Sequence, residues 1–317
     1  MNILILLMSC NKDIYTKEEE ACRETFLNDA EKEGIPFYFY KGISEEHPLQ
    51  LIDKENHVMY LPVNDGLGGT SQKTVMAFSE ALKMKDWDYI VKTNVSTWLD
   101  VKKIKKAVEK WEGRDDRNVY GARFIANDAS KKVPFPRGHF VILSRALVEG
   151  VVRWAPVLIR ANSFPKTDDT LLCLSILYHM KKVLNDDYLA KLMEVPSVIS
   201  WSNEIQDVQD WSDALSVRCK DEKEPSNTPE NIKKVHFLKR NKKQNKNYRR
   251  PLGLIETKYG MLSFKMYEQL SFLIEKVKQQ QATGLMPANA PEEADAVNKM
   301  EQIREKLSSI ELPDMDK

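Results

Sequence analysis

Residues 86–100 read DWDYIVKTNVSTWLD, and the architecture of the whole chain follows outward from them. The apolar run Tyr89-Ile90-Val91 predicts a buried strand. It passes directly into Lys92-Thr93-Asn94-Val95-Ser96-Thr97, and apolar residues return at Trp98 and Leu99. In open α/β sheets, ligands collect beyond the carboxyl ends of strands. A strand ending in a lysine, hydroxyls and an amide is therefore placed to meet a phosphate or a metal ion. The same residue types also build ordinary turns, so residue type alone leaves both readings open.

On the amino side, Ile3-Leu4-Ile5-Leu6-Leu7-Met8 predicts a first buried strand. The run is short, lacks a basic leader and is followed by polar residues, which argues against a signal peptide. No stretch approaches the roughly 18 apolar residues of a membrane span. Lys17 to Glu33 follows as a charged helix with Ala21, Cys22, Thr25, Phe26 and Ala30 near one face. Residues 35–40 and 58–63 read as strands, 64–69 as a loop and 70–85 as a helix. Beyond the central stretch come a basic helix over 101–111, a strand over 119–124 and an apolar helix over 171–180. Strands alternating with helices imply an α/β chain with a mostly parallel sheet flanked by helices.

The 317 residues are 42% hydrophobic and 30% charged, enough for a large core without disulfide staples. A net charge of +1 gives no global attraction to nucleic acid or membrane. Cys10, Cys22, Cys173 and Cys219 contain no CxxC pair, and the reading is a cytoplasmic protein. Residues 233–250 carry nine basic side chains and no acidic one, a local stripe through which DNA binding is conceivable. Within it Val235-His236-Phe237-Leu238-Lys239 reads as a short strand. Apolar stripes after Gly260 and after Val297, separated by a linker at 282–291, predict a helical hairpin that packs on the rest or pairs two copies as a homodimer. The domain reading is 1–255 and 256–317.

Several motifs, taken together and in order, resemble the β1,3-galactosyltransferase and Fringe-like glycosyltransferases of the GT-A fold, a Rossmann-related architecture. Lys92-Thr93 matches the pair that ends the strand before that family's Asp-x-Asp metal signature, which here is Asn94-Val95-Ser96. Arg23-Glu24-Thr25-Phe26 is similar to an Arg-x-Thr-Trp signature, and Lys73-Thr74 to a helical Lys-Thr pair. Pro134 to Arg145 resembles a segment in which a proline-rich acceptor loop and a glycine precede a strand ending at serine, then a helix. Thr167-Asp168-Asp169-Thr170 matches a Glu-Asp pair whose aspartate is the general base of inverting members. The residues themselves also admit a helix cap at Thr167 or Asp168.

The resemblance implies a hexosyl- or pentosyltransferase using a nucleotide-sugar donor, a UDP-sugar, and a glycan or other hydroxylated acceptor. It implies donor contacts from Arg23, Lys73, Lys92, Asn94, Ser96 and Gly138, catalysis by Asp169 beside Asp168, and acceptor contacts from His139 and Trp201. Mn2+ or Mg2+ would be held weakly by Asn94, Ser96 and His236, since neither carboxylate of the metal signature is present. Two alternatives arise from the same features: a transferase acting on a hydroxylated DNA base, and a catalytically degenerate carbohydrate- or protein-binding module.

Overall fold

A computed structural model describes residues 1–45, 49–111, 117–122, 124–125, 134–160, 167–195, 197–198, 214–221, 224–241, 254–257 and 260–263. The apolar run Ile3–Met8 forms β1. It is followed by α1 (Asp13–Cys22), a π turn over Arg23–Leu27 and α2 (Asn28–Lys32). Thr25 leaves helical geometry inside that turn, so the single expected helix is kinked. Next come β2 (Phe37–Gly42), β3 (Leu51–Asp53), β4 (Val58–Leu61) and α3 (Thr70–Lys83). The central stretch forms β5 (Tyr89–Asn94) and β6 (Thr97–Leu99), leading to α4 (Val101–Glu109). The strand expected over 119–124 is split into β7 (Val119–Gly121) and β8 (Phe124–Ile125). β9 (Phe135–Pro136) and β10 (Phe140–Ser144) precede α5 (Arg145–Arg160) and α6 (Asp168–His179). The remaining elements are β11 (Leu192–Glu194), β12 (Ser197–Val198), β13 (Ser216–Arg218), α7 (Thr228–Asn241), β14 (Leu254–Thr257) and β15 (Gly260–Ser263).

The main sheet has eight strands in the order β11-β7-β10-β5-β1-β2-β4-β3. β10 runs antiparallel to β5 and β7, and β3 antiparallel to β4, while the other neighbours are parallel. This is the mostly parallel α/β sheet flanked by helices that the element order predicts. β1 is apolar throughout because both faces are covered. Ile3, Ile5 and Leu7 join a core with Phe26, Ile104 and Ile232, whereas Leu4 and Leu6 join one with Phe78, Leu147 and Ile176. Strand alternation thus feeds two cores, one on each side of the sheet.

After β1 the chain winds to β2 on one side, and after β4 it returns through α3 to β5 on the other. The carboxyl ends of β1 and β5 therefore flank the reversal point of the sheet, where open α/β sheets bind ligands.

Residues 235–239 are helical, within α7, rather than a strand. Ile232 and Val235, three apart on one face, are both fully buried in the core, and this burial favours the helix. The boundary drawn between 255 and 256 falls inside β14, which pairs with β8 and with β15. β15 also occupies the first residues of the helix expected from Gly260. The predicted helical hairpin, with its dimer contact, lies otherwise outside the described residues. Among the described residues, no helix is long and apolar enough to cross a membrane, and all four cysteines are free.

Candidate active site

Side chains alternate along β5, so Lys92 shares a face with Ile90, toward the layer containing α3, α5 and α6. A fully buried ammonium must be paired and hydrogen-bonded. Lys92 is 0% exposed, and its Nζ donates to Gly138 O at 2.6 Å and forms an ion pair with Asp168 Oδ2. The next residue, Thr93, donates its hydroxyl to His139 O at 2.6 Å. β5 thereby fixes the turn that enters β10 by two successive carbonyls. Gly138 eases that approach: a Cβ there would lie 3.3 Å from Asp169 Cβ, which would have to give by a few tenths of an ångström.

Asp168 and Asp169 form the first turn of α6, where negative charge complements the helix dipole. Thr167 occupies the cap position without making a side-chain cap bond, and Asp168 is turned to Lys92 instead. The two carboxylates consequently have unequal surroundings. Asp169 is raised above the ordinary aspartate range by burial and then by the charge of Asp168, with Lys92 opposing. Its Oδ1 accepts the backbone N–H of Thr170 at 3.0 Å. One carboxylate is neutralised by a lysine while its neighbour is held closer to the pKa of a useful base.

His139 is 4% exposed, and its Nε2 has no hydrogen-bond partner among the described residues. Burial, followed by the charges of Arg218, Arg137 and Lys92, holds its pKa well below the ordinary value, so the ring is neutral. Arg218 reaches this region through β13, where it pairs with Thr97 of β6, and the following N–H, of Cys219, donates to Ser96 O at 2.8 Å. Nearby on α1, Glu18 is 4% exposed with Oε2 unpartnered among the described residues. Burial drives its pKa up to about 7, against the attraction of Arg218 and Lys220.

The other expected site residues are distributed differently. Lys73 is 2% exposed and donates to Ser9 O, Asp65 O and Asp65 Oδ1 at 2.9, 3.3 and 2.9 Å. Arg23 lies over the rings of Phe37 and Phe39, 5.9 and 4.7 Å from their centroids, and donates to Asn56 O. Phe37 and Phe39 belong to the core on the face of the sheet opposite Lys92, so Arg23 is across the sheet from Lys92 and Asp168. Trp201 lies outside the described residues, as do residues 242–250 of the basic run. Lys233, at the start of that run, pairs with Glu24 at 2.9 Å.

A divalent cation needs several oxygen or nitrogen donors aimed at one point. Asn94 Oδ1 instead accepts from Ser96 Oγ at 3.0 Å and Thr97 Oγ1 at 2.8 Å, closing the turn on itself. His236, on α7, accepts at Nδ1 from Trp98 Nε1 at 3.3 Å. Among the described residues no group of three or more His, Cys, Asp or Glu can hold a metal. Asn94, Ser96 and His236 therefore do not fit a metal ion.

Arg137, Arg218 and Glu18 are the charged residues of this region that motif reading passed over. Arg137 adjoins Gly138 and His139 and was available as a neighbour; Arg218 lies in the unremarkable triplet Ser216-Val217-Arg218 and carries no local signal.

No protein-family model and no curated protein sequence matches the chain. Among solved structures it is similar to a glycosyltransferase involved in the glycosylation of the major capsid of PBCV-1, at 12% identity over 74% of this chain and 100% of that one, with a TM-score of 0.45. It is also similar to the galactosyltransferase LgtC in complex with donor and acceptor sugar analogs, at 8% identity over 75% and 95% of the two chains and a TM-score of 0.37. An active-site mutant of LgtC gives 9% identity, 69% and 86% coverage, and a TM-score of 0.35. The chemistry of the site is carried by its own residues.

Proposed function

We propose that the protein is a GT-A-type glycosyltransferase that moves a sugar from a UDP-sugar to the hydroxyl of a glycan or related polyol, with inversion. The observation that carries this reading is the carboxylate pair at the head of α6, held over Lys92 and Gly138 at the carboxyl end of β5, beside the reversal point of the sheet. Asp169 takes the proton of the acceptor hydroxyl. The acceptor oxygen bonds to the anomeric carbon from the face opposite the donor diphosphate, and the bond from that carbon to the diphosphate oxygen breaks with its electron pair going to the diphosphate. Asp168, fixed by Lys92, keeps a negative charge beside Asp169 and so helps make it a stronger base.

The deciding experiment incubates the protein with a panel of UDP-hexoses and UDP-pentoses and sugar acceptors, followed by mass spectrometry of products. Asp169→Asn is expected to lower transfer by about a hundredfold to ten-thousandfold with UDP affinity retained, since the amide keeps the size but accepts no proton. Full turnover in Asp169→Asn removes the base assignment.

One observation favours a second reading, a nucleotide-sugar-binding module without turnover: the position of the metal signature is Asn94-Val95-Ser96, with its polar groups bonded to one another. Tight UDP-sugar binding with no product across the panel would select it.

A further inference from the structure

We propose that Arg137 and Arg218, gathered around His139, form the cradle for the donor diphosphate and stabilise its charge as it leaves, the task a metal ion would otherwise perform. The identity of the donor rests on the glycosyltransferase reading, and the site itself on geometry.

Two different sheets deliver these arginines to the end of β5. Arg137 begins the turn before β10, whose carbonyls at Gly138 and His139 are held by Lys92 and Thr93. Arg218 arrives on β13, opposite Thr97 and one residue before the N–H that bonds Ser96 O. Both charges are felt by a histidine that is 4% exposed and whose Nε2 finds no partner among the described residues. A buried polar atom without a partner is unfavourable and is unusual in native structures. An anion with several oxygens, approaching from the adjoining carboxyl edge, gives the imidazole its partner and offers the two arginines oxygens at which their charges converge. Guanidinium suits the diphosphate because its planar N–H groups grip phosphate oxygens two at a time.

The chemistry also requires such a group. As the sugar leaves, the bonding electron pair ends on the diphosphate oxygen, and fixed cations there lower the barrier. Asn94, Ser96 and His236 do not fit a metal that would do this. Arg137 and Arg218 bring two permanent charges from independent elements, needing no protonation change near neutral pH.

The test is calorimetry on the full chain in buffer containing EDTA, with UDP, inorganic pyrophosphate and uridine as separate probes. UDP and pyrophosphate are expected to bind without metal, and UDP far more tightly than uridine. Arg218→Gln and Arg137→Gln are each expected to weaken UDP and pyrophosphate by about ten- to hundredfold while leaving uridine unchanged, the loss of a charge-assisted contact. Thermal unfolding checks that each variant is folded. A variant-independent readout is the phosphorus resonance of pyrophosphate, expected to shift on adding wild-type protein in EDTA. UDP binding that appears only with added manganese, no pyrophosphate shift in EDTA, or unchanged UDP affinity in both folded variants would each overturn the proposal. The glycosyltransferase reading is judged separately, by product formation and its loss in Asp169→Asn, so either can fail while the other stands.

Discussion

Two buried lysines stand at the same edge of the sheet and have opposite surroundings. Lys73 is enclosed by acceptors from its own neighbourhood. Its Nζ bonds Ser9 O and Asp65, and Asp65 in turn accepts the N–H of Asn11 and, at 2.6 Å, that of Gly42. Burial alone would raise the Asp65 carboxyl. Hydrogen bonds from Cys10, Asn11, Gly42 and Lys73 outweigh it and hold the pKa below the ordinary value. This group joins the ends of β1 and β2 to the loop after β4. Lys92 is equally buried and also bonds an aspartate, but beside it Asp169 is raised in pKa and His139 Nε2 is unpartnered among the described residues. A buried ion pair is thus no indication of function on its own; what distinguishes the second site is the unmet bonding around it.

The largest expected effect separates the two aspartates. Asp169→Asn should lower transfer by about a hundredfold or more, whereas Asp65→Asn should leave the turnover of folded protein within about threefold of wild type. A steady-state rate comparison decides, and equal losses in both would erase the distinction. Lys73→Met comes next. It leaves Asp65 buried without its cation, and a broken buried pair costs about 3 to 5 kcal/mol. Urea unfolding should register that loss, while a stability close to wild type would mean that Asp65 is adequately held by its backbone donors.

Glu18 tests the open site through pH. Its carboxyl binds a proton more tightly in the folded state, rising from 4.5 to about 7. The stability from that proton is therefore fully present below about pH 4.5 and is lost as pH rises through about 7. At about 1.4 kcal/mol per pKa unit, the full effect is roughly 3 kcal/mol. Glu18→Gln should accordingly stabilise the protein near pH 8 by an amount of that order and change little near pH 4. Urea midpoints that shift equally at both values would show that the charge of Glu18 is already compensated.

Arg23→Ala is the smallest. Loss of stacking on Phe37 and Phe39 should lower stability by about 1 kcal/mol, with UDP affinity unchanged because the side chain lies on the face of the sheet opposite Lys92. A marked loss of UDP affinity would return Arg23 to the donor site.

Local pattern was enough for much of the fold. The continuous apolar run of β1, the polar end of β5 and the acidic head of α6 are all legible in short windows, because strand alternation, turn chemistry and helix-end charge act over a few residues. The same windows failed at Val235–Lys239, where β-branched and aromatic residues suggested a strand but the burial of Ile232 with Val235 settled a helix. Intrinsic propensity is a fraction of a kcal/mol per residue and yields to packing.

By itself, then, the sequence determined an α/β chain, the order of its main strands and the few polar segments from which a site could be built. Only the tertiary structure decided which of them meet. It closed Lys73 onto Asp65, drew Arg23 to the opposite face of the sheet, turned Asn94 onto Ser96 and Thr97, and brought Arg218 beside a turn from a much earlier part of the chain. The physical reason is that a charge acquires its role from burial and from partners within a few ångströms, and both are set by pairings between segments far apart in sequence.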